Sequence, residues 1–389
     1  MSKPRVQLSK KLHSVAVFSA SYLQGRLVSL DVFRGIAIAL MILINNPGGS
    51  ACYRALQHAE WNGWTLADLD FPLFLFIVGV AIPHSFAKRL TRGDNKKKLF
   101  LRVVRRSVIL FAIGLLVNGF PCFDLPTLRV MGVLQRIAVC YFFASVIFLS
   151  FKVKGQLILT VLLPLLYWIF LMLIPVPGYG AGVLEKEGNL AQYVDNHILR
   201  GHLYLGGSWD PEGLLSTIPA IGTTLMGTLA GQFLRSNRSS LQKAVNLFFF
   251  GSLCIVIGGI WDLWFPINKN LWTSSYVAFT GGIALIFLAA CYYLIDIKKY
   301  TVWTKPFVIL GMNAIIVYVL SEIVNLAFIH TNVTLADGTS IALKTFIYEN
   351  YFASWAGPLN GSLFYALAYL MLWLGITAIL YKQRIFIKI

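Results

Sequence analysis

His58, Glu60, Asn62, Asp68 and Asp70 fall within thirteen residues, in a short polar loop between two long apolar runs. Ionisable groups where a chain re-enters a membrane are costly unless they have partners or work. A loop histidine in open solvent is ordinarily just surface, but one beside carboxylates can be a tuned base. Thr65-Leu66-Ala67-Asp68 also fits a capping box with Thr65 as N-cap, so Asp68 has an equally good structural use. Pro72 sits late for a first helical turn and is expected to kink the helix.

Other groups with chemical potential are spread along the chain. Asp31 and Arg34 share a helical face and could simply pair. The alternative is that Arg34, with Arg102, Arg105 or Arg106, holds a nucleotide-like anion. Asp210-Pro211-Glu212-Gly213 reads as an ordinary helix start, with Asp210 as N-cap and proline at the first position. Lys269, in the dense turn from Pro266 to Ser275, is placed to meet Asp210 or a sugar. Asp262, Glu322 and Asn325 lie near the outer ends of apolar runs. With Asn45, Asn46, Asp68, Asp70 and Arg136 they form one outer polar cluster if the helices bundle.

The elements that must position these groups are helices. Of 389 residues, 57% are hydrophobic and only 13% charged, the composition of a polytopic membrane protein. Continuous rather than alternating hydrophobicity argues for helices over a β-barrel. The expected fold is all-α, with spans near 30–46, 66–86, 103–119, 132–151, 155–174, 214–234, 242–264, 274–295, 306–327 and 359–381. No internal repeat is evident. With both termini in the cytoplasm, 25 of the 33 lysines and arginines fall on that side and seven on the other, with Arg34 inside a span. That split follows the positive-inside rule. The net charge of +17 is thus a topology signal and an attraction for anionic lipid or a phosphorylated ligand, not for nucleic acid. Residues 1–29 form a basic cytoplasmic or interfacial arm, Ser14 to Leu23 being too weak for a cleaved signal peptide, and 30–389 one transmembrane domain. The five cysteines show no metal-ligand spacing. Cys52 and Cys122, nearest the outer face, are candidates for a bridge in an oxidising compartment.

Leu30-Asp31-Val32-Phe33-Arg34-Gly35, Asn45-Asn46-Pro47-Gly48-Gly49, His58-Ala59-Glu60-Trp61-Asn62-Gly63 and Ala67-Asp68-Leu69-Asp70-Phe71-Pro72 resemble the heparan-α-glucosaminide N-acetyltransferase family. So do Gly132 to Ile137, Asp210 to Gly213, Pro266 to Lys269 with Leu271-Trp272, and Gly311 to Ala314, all in family order across nearly the whole chain. The resemblance implies a membrane enzyme that moves acetyl from cytosolic acetyl-CoA to a glucosamine amine on the far side. It implies that His58 is catalytic and that Asn45 and Asp68 belong to the site. It points to a bacterial inner-membrane member without the luminal N-terminal domain and extra helix of the animal lysosomal enzyme.

The chemistry is coherent on its own terms. A protonated amine has no lone pair, so acetylation needs a base, and an imidazole titrates in the right range. His58 could instead carry the acetyl group itself. Asp68 or Asp70 would orient the ring or hold the ammonium, and Asn45 would donate to the oxyanion. Asn46, Glu60, Asn62, Asp70, Asp210, Lys269 and Glu322 are assigned to the amino sugar. Arg34, Arg102, Arg105, Arg106, Arg136 and Asn313 are assigned to acetyl-CoA, and no metal is required. The rival is an amino-sugar or muropeptide permease with no chemistry. Assembly state is open, a homodimer among the options.

Overall fold

Apolar helices dominate because a bilayer leaves each backbone polar group no partner but its own helix. The computed structural model describes residues 27–335 and 338–387, so most of the expected arm at 1–29 lies outside the described residues. The main helices are α1 (Val28–Asn45), α2 (Asp70–Leu90), α3 (Lys96–Gly119), α4 (Val133–Ser150), α5 (Val153–Leu173), α6 (Leu190–Ile198) and α7 (Thr217–Leu234). They continue as α8 (Ser240–Trp261), α9 (Ser274–Cys291), α10 (Lys305–Met312), α11 (Ala314–His330), α12 (Leu343–Tyr348) and α13 (Ser354–Lys382). A two-stranded antiparallel hairpin, β1 (Asn332–Thr334) and β2 (Ser340–Ala342), decorates the loop before α12.

The chain is a multi-pass helix bundle. Among the described residues seven helices are long and apolar enough to cross a membrane, or eight if the bent pair α10–α11 is one span. That is short of the ten expected. The segments expected near 103–119 and 214–234 form helices α3 and α7 but are not among the seven. The span expected at 306–327 is two helices meeting at 80°. Asn313 makes the break: its Nδ2 donates to Ile385 O at 3.2 Å and its Oδ1 accepts from Ile387 N at 3.0 Å.

The segment Leu66–Leu90 is 83% buried and forms the centre, whereas α5 and α8, at 28% and 22%, are peripheral. Glycines let the central helices touch backbone to backbone. A Cβ on Gly79 would sit on Thr224 O, one on Gly227 on Phe76 O, and one on Gly35 on Phe307 O. Small residues at such crossings are how membrane helices gain contact without a hydrophobic drive.

Pro72 does not kink α2. A short 3-10 turn over Leu66–Leu69 takes up the first residues, so the α-helix begins at Asp70 and Pro72 falls in its first turn, where proline is tolerated. Asp210 does not cap a helix either. α7 starts only at Thr217, and the Asp210–Gly213 stretch forms turns in which both carboxylates face Arg129. Arg129 donates to Asp210 Oδ2 and Oδ1 at 2.8 and 2.6 Å and to Glu212 Oε2 at 2.5 Å, and lies over the Tyr204 ring. Two buried carboxylates need that cation, because an unpaired buried charge is costly. Cys52 and Cys122 are both free, so the expected bridge is absent.

Gly79→Ala should lower the thermal stability of the detergent-solubilised chain by about 1–3 kcal/mol, the usual cost of overpacking. Gly259→Ala, where an added methyl group meets nothing within 4 Å, should be neutral or mildly stabilising. Equal melting temperatures for the two would remove the close crossing of α2 and α7.

Asp195, on α6, is buried, and burial pushes its carboxyl up to about 7 although Leu214 N donates to it at 2.8 Å. The folded chain therefore holds this proton more tightly than the unfolded chain. Its contribution to stability is fully present in acid and is lost as the pH rises from about 3.9 towards that raised value. Melting at about pH 5 and about pH 8 should differ more for the wild type than for Asp195→Asn. An unchanged difference in the variant would contradict this.

Candidate active site

Thr65 ends the loop after α1 and starts the turn into α2, and the local chemistry there is a satisfied capping box. Asp68 Oδ2 accepts from Thr65 N at 2.9 Å and from Ala59 N at 3.1 Å. Its other oxygen, Oδ1, lies 2.9 Å from His58 Nδ1. The cap and the histidine partner weighed against each other in the sequence are one carboxylate, using one oxygen for each. A carboxylate only accepts, so Nδ1 carries the hydrogen and Nε2 keeps its lone pair. The Asp68 side chain is 1% exposed and the His58 side chain 44%. A buried anchor thus holds an accessible base. Tyr276 fixes the turn from below by donating to Asp68 O.

A second segment closes the site. Gly63 N donates to Ile267 O at 2.7 Å, and Asn268 Nδ2 donates to Asn62 Oδ1 at 3.1 Å. These bonds clamp the His58 loop to the turn between α8 and α9. Buried Trp272 locks that turn: it adopts φ 51°, packs edge-on to Phe71 and Tyr276, and donates from Nε1 to Thr223 Oγ1. The clamp delivers Lys269. Its Nζ lies 3.1 Å from His58 Nδ1, 3.4 Å from His58 Nε2 and 3.4 Å from Asp70 Oδ1. Lys269 therefore joins His58, not Asp210, which belongs to Arg129.

The remaining assigned residues divide by position. Asn45 Nδ2 donates to Glu322 Oε1 at 3.3 Å, a pair contributed by α1 and α11. Asn46 turns inward, donating to Ile42 O at 2.8 Å, and is 1% exposed. Glu60 is exposed on the loop. Arg136 is fully buried near the start of α4, donates to Gly213 O and Ser216 Oγ, and stacks over Trp272. That places it with the His58 end of the bundle, away from the arginines it was grouped with. Asn313 is committed to the Ile385–Ile387 strap. At the far end Arg34 lies 3.4 Å from Asp31, Arg102 pairs with Asp94, Arg106 covers the Tyr141 ring and Arg105 is exposed. The structure does not gather these arginines on one point.

Two groups that matter here were not assigned from sequence. Arg129 was counted only as a charge, although its place before the Gly132–Ile137 motif was a usable signal. Asn268, the clamp, gave none beyond its neighbourhood.

Comparison with known proteins covers the His58 loop but not the Asn268–Trp272 turn in its family match. The family model for the heparan-alpha-glucosaminide N-acetyltransferase catalytic region matches residues 26–265. The human heparan-alpha-glucosaminide N-acetyltransferase is 32% identical, and the mouse protein of that name 33% identical, over 96% and 94% of this chain. The chain spans 61% of the length of each of these relatives. The matched region includes His58, Asp68 and Asp70 at the turn into α2 and the Arg129–Asp210–Glu212 network. The chain belongs to the heparan-alpha-glucosaminide N-acetyltransferase family.

Proposed function

We propose that the chain is a transmembrane N-acetyltransferase, moving acetyl from cytosolic acetyl-CoA to the amine of a glucosamine-type sugar across the membrane. The observation that carries this reading is the 2.9 Å pair of buried Asp68 and accessible His58. Family membership supports the reaction class. Ten crossings with both termini cytoplasmic, residues 30–389 acting as one unit in a bacterial inner membrane, complete the proposal.

Each residue then has a chemical task. Asp68 holds the Nδ1–H of His58, so Nε2 faces the acceptor as base. Asp70 and Asp68 attract the incoming ammonium, which gives its proton to Nε2. Nε2 passes that proton to solvent, the freed amine attacks the thioester carbonyl directly and gives its second proton to Nε2, and Asn45 donates to the oxyanion. The imidazolium returns its proton to the departing thiolate. Glu322, Asn62 and Glu60 lie on the side from which sugar hydroxyls arrive. Pantetheine spans the bundle and the phosphates rest on the basic far end. A cleft of about 320 Å³ there is lined by Lys96, Lys97 and Phe100.

His58→Ala should insert and fold normally yet lose glucosamine-dependent thiol release from acetyl-CoA by at least about 10²-fold. Near-normal turnover would take His58 out of the mechanism. A wild-type chain that releases no thiol with any amino sugar would favour a permease.

Arg34→Lys keeps the positive charge that topology needs but loses the guanidinium fork. It should weaken CoA binding by roughly 1–3 kcal/mol in calorimetric titration. Equal dissociation constants would take Arg34 out of CoA binding.

A further inference from the structure

The acceptor seat is already filled by an amine. Lys269 Nζ lies within 3.4 Å of both ring nitrogens of His58 and of Asp70 Oδ1, and 3.9 Å from Asp68 Oδ1. A sugar ammonium about to be deprotonated by His58 needs the same surroundings: a base with a free lone pair and carboxylates to hold its charge. Because Nδ1–H is committed to Asp68, the lone pair that can receive a proton from Nζ is that of Nε2. The Lys269 side chain as a whole is 14% exposed, so most of its stem is packed against the protein.

The backbone beneath it is fixed while the stem is free. Trp272 N donates to Lys269 O at 3.0 Å, and Asn268 Oδ1 accepts from Leu271 N at 2.9 Å, so the turn cannot drift. The four-carbon side chain has rotatable bonds enough to shift Nζ by the small distance that an arriving sugar amine demands. Such a lysine serves as counter-ion to the carboxylates when the seat is empty and moves aside when the seat is taken.

We propose that Lys269 is an internal acceptor, a modification site at which the chain acetylates its own Nζ when acetyl-CoA is present without sugar. This rests on the acetyl-transfer reading above. The step releases one proton to solvent and otherwise balances within the groups named. Nζ gives one proton to solvent through His58 Nε2, its lone pair forms a C–N bond to the acetyl carbonyl, and the nitrogen's second proton then passes to Nε2. The C–S bond breaks, and the CoA thiolate takes the proton back from the imidazolium to leave as thiol. The product, Nε-acetyl-Lys269, is neutral and bulkier. It removes the cation from Asp70 and leaves an amide in the seat, so the modified chain no longer turns over sugar. The enzyme is thereby switched off where donor is plentiful and acceptor scarce.

The test uses the full chain in detergent, acetyl-CoA with an isotopically labelled acetyl group and no sugar, read by peptide mass spectrometry. Label should accumulate on Lys269 at least about tenfold faster than on exposed Lys96 and Lys97, a conservative margin for a positioned base. Glucosamine should suppress it, and Lys269→Arg and His58→Ala should abolish it. Parallel measurement of glucosamine-dependent thiol release separates the two ideas. Thiol release with Lys269 unlabelled, or labelled no faster than Lys96 and Lys97, overturns the internal acceptor alone. No thiol release and no label overturns the acetyl-transfer reading, and the internal acceptor with it.

Discussion

The structure depends on one carboxylate doing two jobs at a membrane boundary. Asp68 accepts from the Thr65 and Ala59 amides through one oxygen and meets His58 through the other. The first set of bonds starts the most deeply buried span of the bundle. The second aims an imidazole outward. Folding and chemistry share an anchor, so the base is held as rigidly as the helix start itself. A site supported in this way needs little further preorganisation. The two-point clamp through Asn62 and Gly63 to the Pro266–Trp272 turn supplies what remains, bringing Lys269 to the ring.

Around that anchor charge is arranged in layers. Asp68, Asp70, Lys269 and His58 form an inner group. Arg129, Asp210 and Glu212 form a second group, whose charges balance once Arg136, behind them on Trp272, is counted. Each carboxylate has a cation in reach, which is the condition for keeping acids in a poorly hydrated place.

What could be read from sequence was what is local. The capping box at Thr65–Asp68, the apolar runs and the His58 loop all rest on residues a few positions apart. Pro72 misled because the turn before it is 3-10 and shifts the helix start, a difference of backbone hydrogen bonding that residue types do not encode. Asp210 looked like a cap because Asp-Pro-x-Gly favours one. A partner 81 residues earlier, Arg129, decided otherwise. Lys269 meets Asp70 and not Asp210, and choosing between those carboxylates requires knowing how α2 packs against the turn before α9. The arginines of the far end share a charge, while Arg34, Arg102 and Arg106 meet different side chains. Composition can report the former and not the latter.

The 80° bend at Asn313 bears on how the chain is assembled. Both amide bonds that stabilise it come from residues 72 and 74 positions downstream, beyond α13. α10 and α11 must therefore enter the bilayer before the strap that shapes them exists. In the interval the side chain of Asn313 and the interrupted helix ends around it lack those partners, in a medium that tolerates few such orphans. The bend can take its final form only once the residues beyond α13 arrive to supply those two bonds.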